Sequence, residues 1–305
     1  MSLMSLVSAS RLVSRSGWRI AALLALTGML AACSMVRLAY NNADTAVRVM
    51  AQDYFDLWSE DSTGLRVQIA RLHDWHRREE LPVYADLLQA GADKLAAGLT
   101  RADIEWAAAK GRERYRALVV RAADEAAPLL AKLGPDHHAA LAKKMANNNA
   151  KFAREFLGDD PLERERARIK RLVGYVEDWT GSLTSAQEAR IATTVRAFPR
   201  LSELQLASRQ ARQQVLLALL KRNRSVAELA PALRAYFLDW ELRRGSEYGR
   251  MATDWEAQLT LLLLDLDRTL TPEQRSRAVE RAARFAEDFR VLADPKAQLA
   301  EREKL

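Results

Sequence analysis

The chain carries one cysteine, Cys33, and only 12 glycines in 305 residues. A single cysteine excludes an intrachain disulfide, so stability must come from packing. Several familiar chemical signatures are also missing. There is no Gly-x-Ser-x-Gly elbow, no His-Glu-x-x-His, no phosphate-cradling glycine loop, and neither of the Glu-x-x-His motifs of a di-iron bundle. No segment sustains strand alternation. No catalytic residue is nominated on these grounds, and the expectation is a protein that is not an enzyme.

What is present begins at the N-terminus. Arg11, Arg15 and Arg19 stand without an acidic residue, and a run of about 13 mostly apolar residues follows from Ile20 to Ala32. Such a run is too short to cross a hydrocarbon core of about 30 Å as a helix. It reads as a secretory signal, residues 1–32. The end of it, Leu30-Ala31-Ala32-Cys33, resembles a bacterial lipobox. That resemblance implies a thiol that receives diacylglycerol, cleavage before Cys33, and acylation of the new amine. No other cofactor is expected. Two or three acyl chains hold a protein to a bilayer far more firmly than one. Ser34 in place of Asp favours, in the lipoprotein-sorting pattern this resembles, the outer membrane with the domain facing the periplasm; display on the cell surface is the alternative.

Removing the signal takes away three arginines and lowers the formal charge from +7 to +4. That surplus is modest, and the address makes nucleic acid an unexpected partner. The hydrophobic fraction of 49%, rich in Ala and Leu, is that of a helical protein. Residues 33–60 read as a lipid-anchored first helix, free of Pro and Gly from Ser34 to Ser59. Apolar steps of three and four then predict further helices, the cleanest through Ile104, Ala108, Gly111, Tyr115, Leu118, Ala122, Ala126 and Leu129. A helix through Leu65, Leu72 and Leu87 is expected to kink or end near Pro82. Gly158-Asp159-Asp160-Pro161 is the strongest break and divides an N-terminal lobe, 61–158, from a C-terminal lobe, 159–294; a charged tail covers 295–305. The expected fold is all-α, with eight to ten helices in an elongated up-and-down bundle of one or two lobes.

Leu183-Thr184-Ser185-Ala186-Gln187 and Leu270-Thr271-Pro272-Glu273-Gln274 repeat one helix start. Leu99-Thr100-Arg101-Ala102-Asp103 and Leu133-Gly134-Pro135-Asp136-His137 are weaker copies. Each reads as a capping box, worth about 1 kcal/mol. Apolar residues recur eight and twelve positions after three of the leucines: Leu141 and Met145, Ile191 and Val195, Ala278 and Ala282. The intervals of about 34, 50 and 87 residues fit no single period, so this is a degenerate repeat, not a solenoid.

These Leu-Thr-x-x-Gln starts resemble those of the small helical periplasmic chaperones of the Spy and CpxP type. A wider likeness covers nearly the whole mature chain. The lipobox, Arg37-Leu38-Ala39-Tyr40-Asn41-Asn42, Trp75-His76-Arg77-Arg78-Glu79-Glu80-Leu81-Pro82, Asn149-x-x-Phe152-x-x-Glu155-Phe156 and the two helix starts together resemble a family of proteobacterial lipoproteins carrying a domain of unknown function. The resemblance implies a helical lipoprotein and supplies no activity.

His73 and His76, with Glu79 and Glu80 a turn later, have a spacing that could gather imidazole and carboxylate about a metal. His137 and His138 form a second pair. Against a metal, His76 falls on the apolar stripe beside Trp75, the usual place of a core histidine. Asn147-Asn148-Asn149 reads either as a sugar- or peptide-binding face or as a solvated one. The tryptophans at 58, 75, 106, 179, 240 and 255 read as core. The leading expectation is a non-enzymatic binding, chaperone-like or scaffold protein that meets the membrane through its anchor and an envelope protein as partner or client. The alternative is a peptidoglycan- or glycan-directed hydrolase using carboxylates assembled by the fold.

Replacement of Cys33 by Ala is expected to abolish incorporation of labelled palmitate and to leave the precursor uncut, as read by metabolic labelling and mass. Palmitate retained in that variant would remove the anchor from this account.

Overall fold

A computed structural model describes residues 35–58, 63–198, 201–222, 225–238 and 247–295. The signal segment, Cys33, Trp240 and most of the charged tail lie outside the described residues. The chain divides into two units, 1–43 and 44–305. Of the first, 35–43 is described and is helical from 35 to 41, with the Asn42 amide donating to Leu38 O at 2.8 Å.

Among the described residues there are eleven α-helices and no strand. They are α1 Ala43–Phe55, α2 Thr63–Trp75, α3 Leu81–Ala97, α4 Arg101–Leu130, α5 Pro135–Phe156, α6 Pro161–Thr180, α7 Ser185–Ala197, α8 Leu201–Leu220, α9 Val226–Leu238, α10 Glu247–Thr269 and α11 Pro272–Ala293. The count exceeds the expected range by one. What reads as one segment around Pro82 is two α-helices fused through a π-helical turn, His76–Glu80, after which Pro82 occupies a first-turn position of α3. Proline has no N–H to lose there, so it starts α3 without breaking the rod. The first helix ends at Phe55, where Asp56 takes a left-handed φ of 54°. No described helix is long and apolar enough to cross a membrane.

Within 44–305 three pairings are nested, α3 on α11, α4 on α9 and α5 on α8, and α6 also packs on α11. The break at Gly158–Pro161 is thus a turn inside one compact unit, with helices before it seated on helices after it. The α3–α11 contact is built from alanines, with Ala85 and Ala92 facing the side of α11 that carries Ala278, Ala282 and Ala286, all buried. Small side chains let two helices approach at the near end of the usual range of about 8–10 Å. A leucine core joins Leu141 of α5, Leu217 and Leu220 of α8, and Leu229 and Leu233 of α9. A second core joins Ile191 and Val195 of α7, Phe198, and Leu262 and Leu266 of α10.

The helix starts tie these layers together. Thr184 Oγ1 accepts from the Gln187 N–H at 3.3 Å and Thr271 Oγ1 from the Gln274 N–H at 3.2 Å, while each glutamine oxygen accepts from its own threonine N–H. The two boxes also engage each other. Gln187 Nε2 donates to Gln274 Oε1 at 2.8 Å and Gln274 Nε2 donates back to Gln187 Oε1 at 3.0 Å. The remaining amide hydrogens go to Thr269 O and Ser182 O, each five residues before the opposite glutamine. Both side chains are buried and every donor and acceptor on them is met. The weaker copies cap without pairing. Asp103 accepts from the Thr100 N–H at 3.0 Å, and His137 Nδ1 accepts from the Gly134 N–H at 3.2 Å.

Beside the pair, buried Asp267 accepts from the Leu99 N–H at 2.9 Å and from Arg275 at 2.8 Å, and Arg275 also reaches Leu95 O. This clamps the α3–α4 turn, where Gly98 has φ 91°, to the α10–α11 turn.

Gln187→Ala strands Gln274, the Thr184 N–H and Thr269 O in a buried site, so it is expected to cost about 3 kcal/mol or more. Thr184→Ala removes one cap bond and should cost about 1 kcal/mol. Urea midpoints of the two variants check this: equal, small shifts would mean the glutamines serve as caps alone.

Candidate functional site

A concavity of about 830 Å³ is a groove walled by α4, α6, α8 and α10, with Phe156 also in its lining. Its floor is apolar: Leu172, Val195, Phe198, Leu259 and Trp255, with Phe198 and Trp255 rings 5.8 Å apart. Aromatic rings with polar tips line its sides, namely Tyr115, Tyr175 and Tyr248. Tyr115 is fixed by donation to Phe237 O at 3.3 Å, and burial pushes the Tyr248 phenol above its ordinary value, opposed by the charge of Arg212.

Three arginines face this groove, Arg112 from α4 and Arg168 and Arg171 from α6, against one carboxylate, Glu256, among the described lining residues. Arg171 lies over the Phe156 ring at 4.5 Å, which holds its guanidinium by a cation–π contact. The groove is kept open by small residues. A Cβ built on Gly111 would meet nothing within 4 Å, and Ala252 lies across from it on α10. Arg168, Arg171, Tyr175 and Trp179 form one stripe along α6, with Tyr175 66% and Trp179 40% exposed. Trp179 packs with Phe285 at 5.9 Å under the Arg281 guanidinium. An arginine-flanked apolar trough with accessible rings can hold a ligand that has both an apolar body and a negative charge.

The residues singled out from the sequence lie elsewhere. Among the described residues no three His, Cys, Asp or Glu side chains gather to hold a metal. His76 sits edge-on to Tyr84 at 5.4 Å, the Trp75 indole N–H donates to Glu79 at 2.9 Å, and Glu80 turns inward, 3% exposed, toward Arg114. Burial, then the adjacent Glu80 carboxylate, raises the Tyr84 phenol to about 12. The π turn thus orients a buried polar cluster. His137 is a cap, and His138 is buried against α8's end near Lys221 with its pKa lowered, first by burial.

The asparagine run is divided. Asn148 donates to Tyr54 at 2.7 Å and Asn149 exchanges amide bonds with Gln213 on α8 at 2.7 and 3.3 Å, so two of the three tie helices together, while Asn147 is exposed. Of the tryptophans, Trp255 lines the groove, Trp58 is exposed, and Trp106 lies under Lys94. Sequence reasoning missed the groove. The signal that could have found it is the arginine and aromatic stripe of α6, at helical spacing on the face that also carries Leu172.

Fold and groove together define an all-helical protein with a basic, aromatic-lined trough. The model of a family of unknown function, DUF6279, matches residues 53–242, more than half of the chain, and the chain belongs to that family. The match takes in α2 to α9 and leaves out α10, so one wall of the groove lies outside it. No characterised protein and no solved structure matches the chain.

His76 has a pKa below 6.5, held down by burial first and then by His73. The unfolded chain therefore binds a proton before the folded one as pH falls, and the stability of burying a neutral His76 is complete above 6.5 and declines below it. His138 adds to the same trend. The urea midpoint is expected to drop between about pH 7 and 5 more steeply in the wild type than in His76→Phe, and the His76 ring resonances should titrate below 6.5 by NMR. Titration at or above that value would contradict the burial argument.

Proposed function

We propose that this protein is an outer-membrane lipoprotein, anchored by acyl chains on Cys33, whose helical domain faces the periplasm and binds an envelope component or client without catalysing a reaction. The observation that carries the binding reading is the groove: about 830 Å³ of space between helices, with an apolar floor and arginines at its edge. Ligand sites have this character, a concave apolar body with few placed polar groups. The lipobox resemblance supports the address. Glycan cleavage has less support, since glycoside hydrolysis takes two carboxylates and the described lining of the groove offers Glu256.

Tyr175 replaced by a photocrosslinking amino acid in the living envelope is expected to capture a discrete set of adducts. The same amino acid at Arg284, exposed on α11, serves as the comparison and should not. Adducts should fall when Cys33→Ala removes the anchor. Identical capture from both positions, or none from either, would overturn the assignment of binding to this groove.

A further inference from the structure

The geometry points to an anionic acyl lipid as the ligand of this groove, its hydrocarbon chain lying on the Val195, Phe198 and Leu259 floor and its carboxylate or phosphate held between Arg112 and Arg171. This rests on the binding reading above and names the ligand class. Charge decides the head. Arginine forks match planar or tetrahedral oxyanions with paired N–H groups, and among the described residues Arg112 and Arg171 form no ion pair with a carboxylate. On this basic chain many other arginines are already neutralised, for instance Arg196 by Glu165 at 2.8 Å and Arg190 by Asp265 at 2.5 Å. Arg112 and Arg171 carry no such partner among the described residues and line the trough.

The floor decides the body. Val195 and Phe198 are 2% and 8% exposed, and Trp255 and Leu259 pack with them, so the bottom of the trough is hydrocarbon and ring edge, while the neutral polar side chains of the lining, Ser202, Gln205 and Thr253, belong to the α8 and α10 walls. An extended peptide carries a backbone N–H and C=O at each residue and would leave them unmet there. An acyl chain carries none. Tyr115, Tyr175 and Tyr248, apolar in body and polar at the tip, suit the boundary between chain and headgroup. Gly111 and Ala252 leave the width that a chain needs.

The test uses the full chain with Cys33→Ser, so that no covalent acyl group contributes, titrated in detergent-free buffer with 9,10-dibromostearate. Bromine quenches nearby indoles, and saturable quenching is expected. Trp255→Phe should remove most of it. Arg112→Gln and Arg171→Gln should each weaken binding about tenfold, the loss of one charge-assisted contact. The neutral methyl ester of the same acid should bind more weakly than the acid to the wild type and equally to the double arginine variant. Gly111→Phe sits on helical backbone with open space ahead of it, so it should fold normally, as far-UV circular dichroism would show, yet block the trough. Absence of saturable quenching, quenching unchanged by Trp255→Phe, equal binding of acid and ester to the wild type, or tighter binding of an acidic peptide would each overturn the lipid assignment. If the Tyr175 adducts contain an envelope protein while dibromostearate fails to bind, the lipid falls and the binding reading stands; if both fail, both fall.

Discussion

Two glutamine side chains, Gln187 and Gln274, bond to each other in the interior, and the seating of α7 against the α10–α11 turn follows from them. Each amide makes four hydrogen bonds: one with its own cap N–H, two with the opposite amide, and one with the carbonyl that closes the opposite turn. The arrangement is close to two-fold, because each motif offers the same atoms at the same offsets. A buried amide pair of this kind is stabilising only if complete, since a partial network leaves desolvated groups unmet. It therefore fixes the start of α7 against the α10–α11 turn with little freedom to slide.

That constraint reaches the groove. α7 carries Val195 and delivers Phe198, while α10 carries Trp255 and Leu259, and these four residues are most of the floor. The Asp267–Arg275 clamp adds the α3–α4 turn to the same junction. α4 leaves that turn and presents Arg112 and Tyr115 to the trough. Three of the helices that line it, α4, α7 and α10, thus meet at one knot of hydrogen bonds, which gives the site a rigid base.

The helices were legible because their signals are local. A capping threonine, a glycine at a helix end and apolar steps of three and four act within a turn or two, and the starts at Thr100, Thr184 and Thr271 lie where the pattern puts them. The departure at Gly134 to His137 resolves locally as well, with an imidazole nitrogen taking the role of the glutamine oxygen. Pairing was not legible, because a stripe names a buried face without naming what buries it. Thr-x-x-Gln reads as a cap, and nothing in five residues says that one cap docks on another 87 positions away. Nor does a window of sequence show that Gly158–Pro161 joins helices of one unit, or that His76 to Glu80 winds as a π turn that spreads its histidine and carboxylates apart.

The groove was hidden for the same reason, with a further one behind it. Pattern reading finds helical faces that are apolar or polar throughout, and α6 is neither: Arg168, Arg171, Tyr175 and Trp179 share the side that also bears Leu172. A bundle shaped by stability alone would fill about 830 Å³ with leucine, because interiors are close-packed and unfilled space costs contacts. Here the space is bordered by glycine, alanine and arginine side chains, where leucine would pack more closely. Mixed chemistry on one face, with room left beside it, is the mark of a surface that meets something outside the chain, and it becomes visible only when the fold has brought the four helices together.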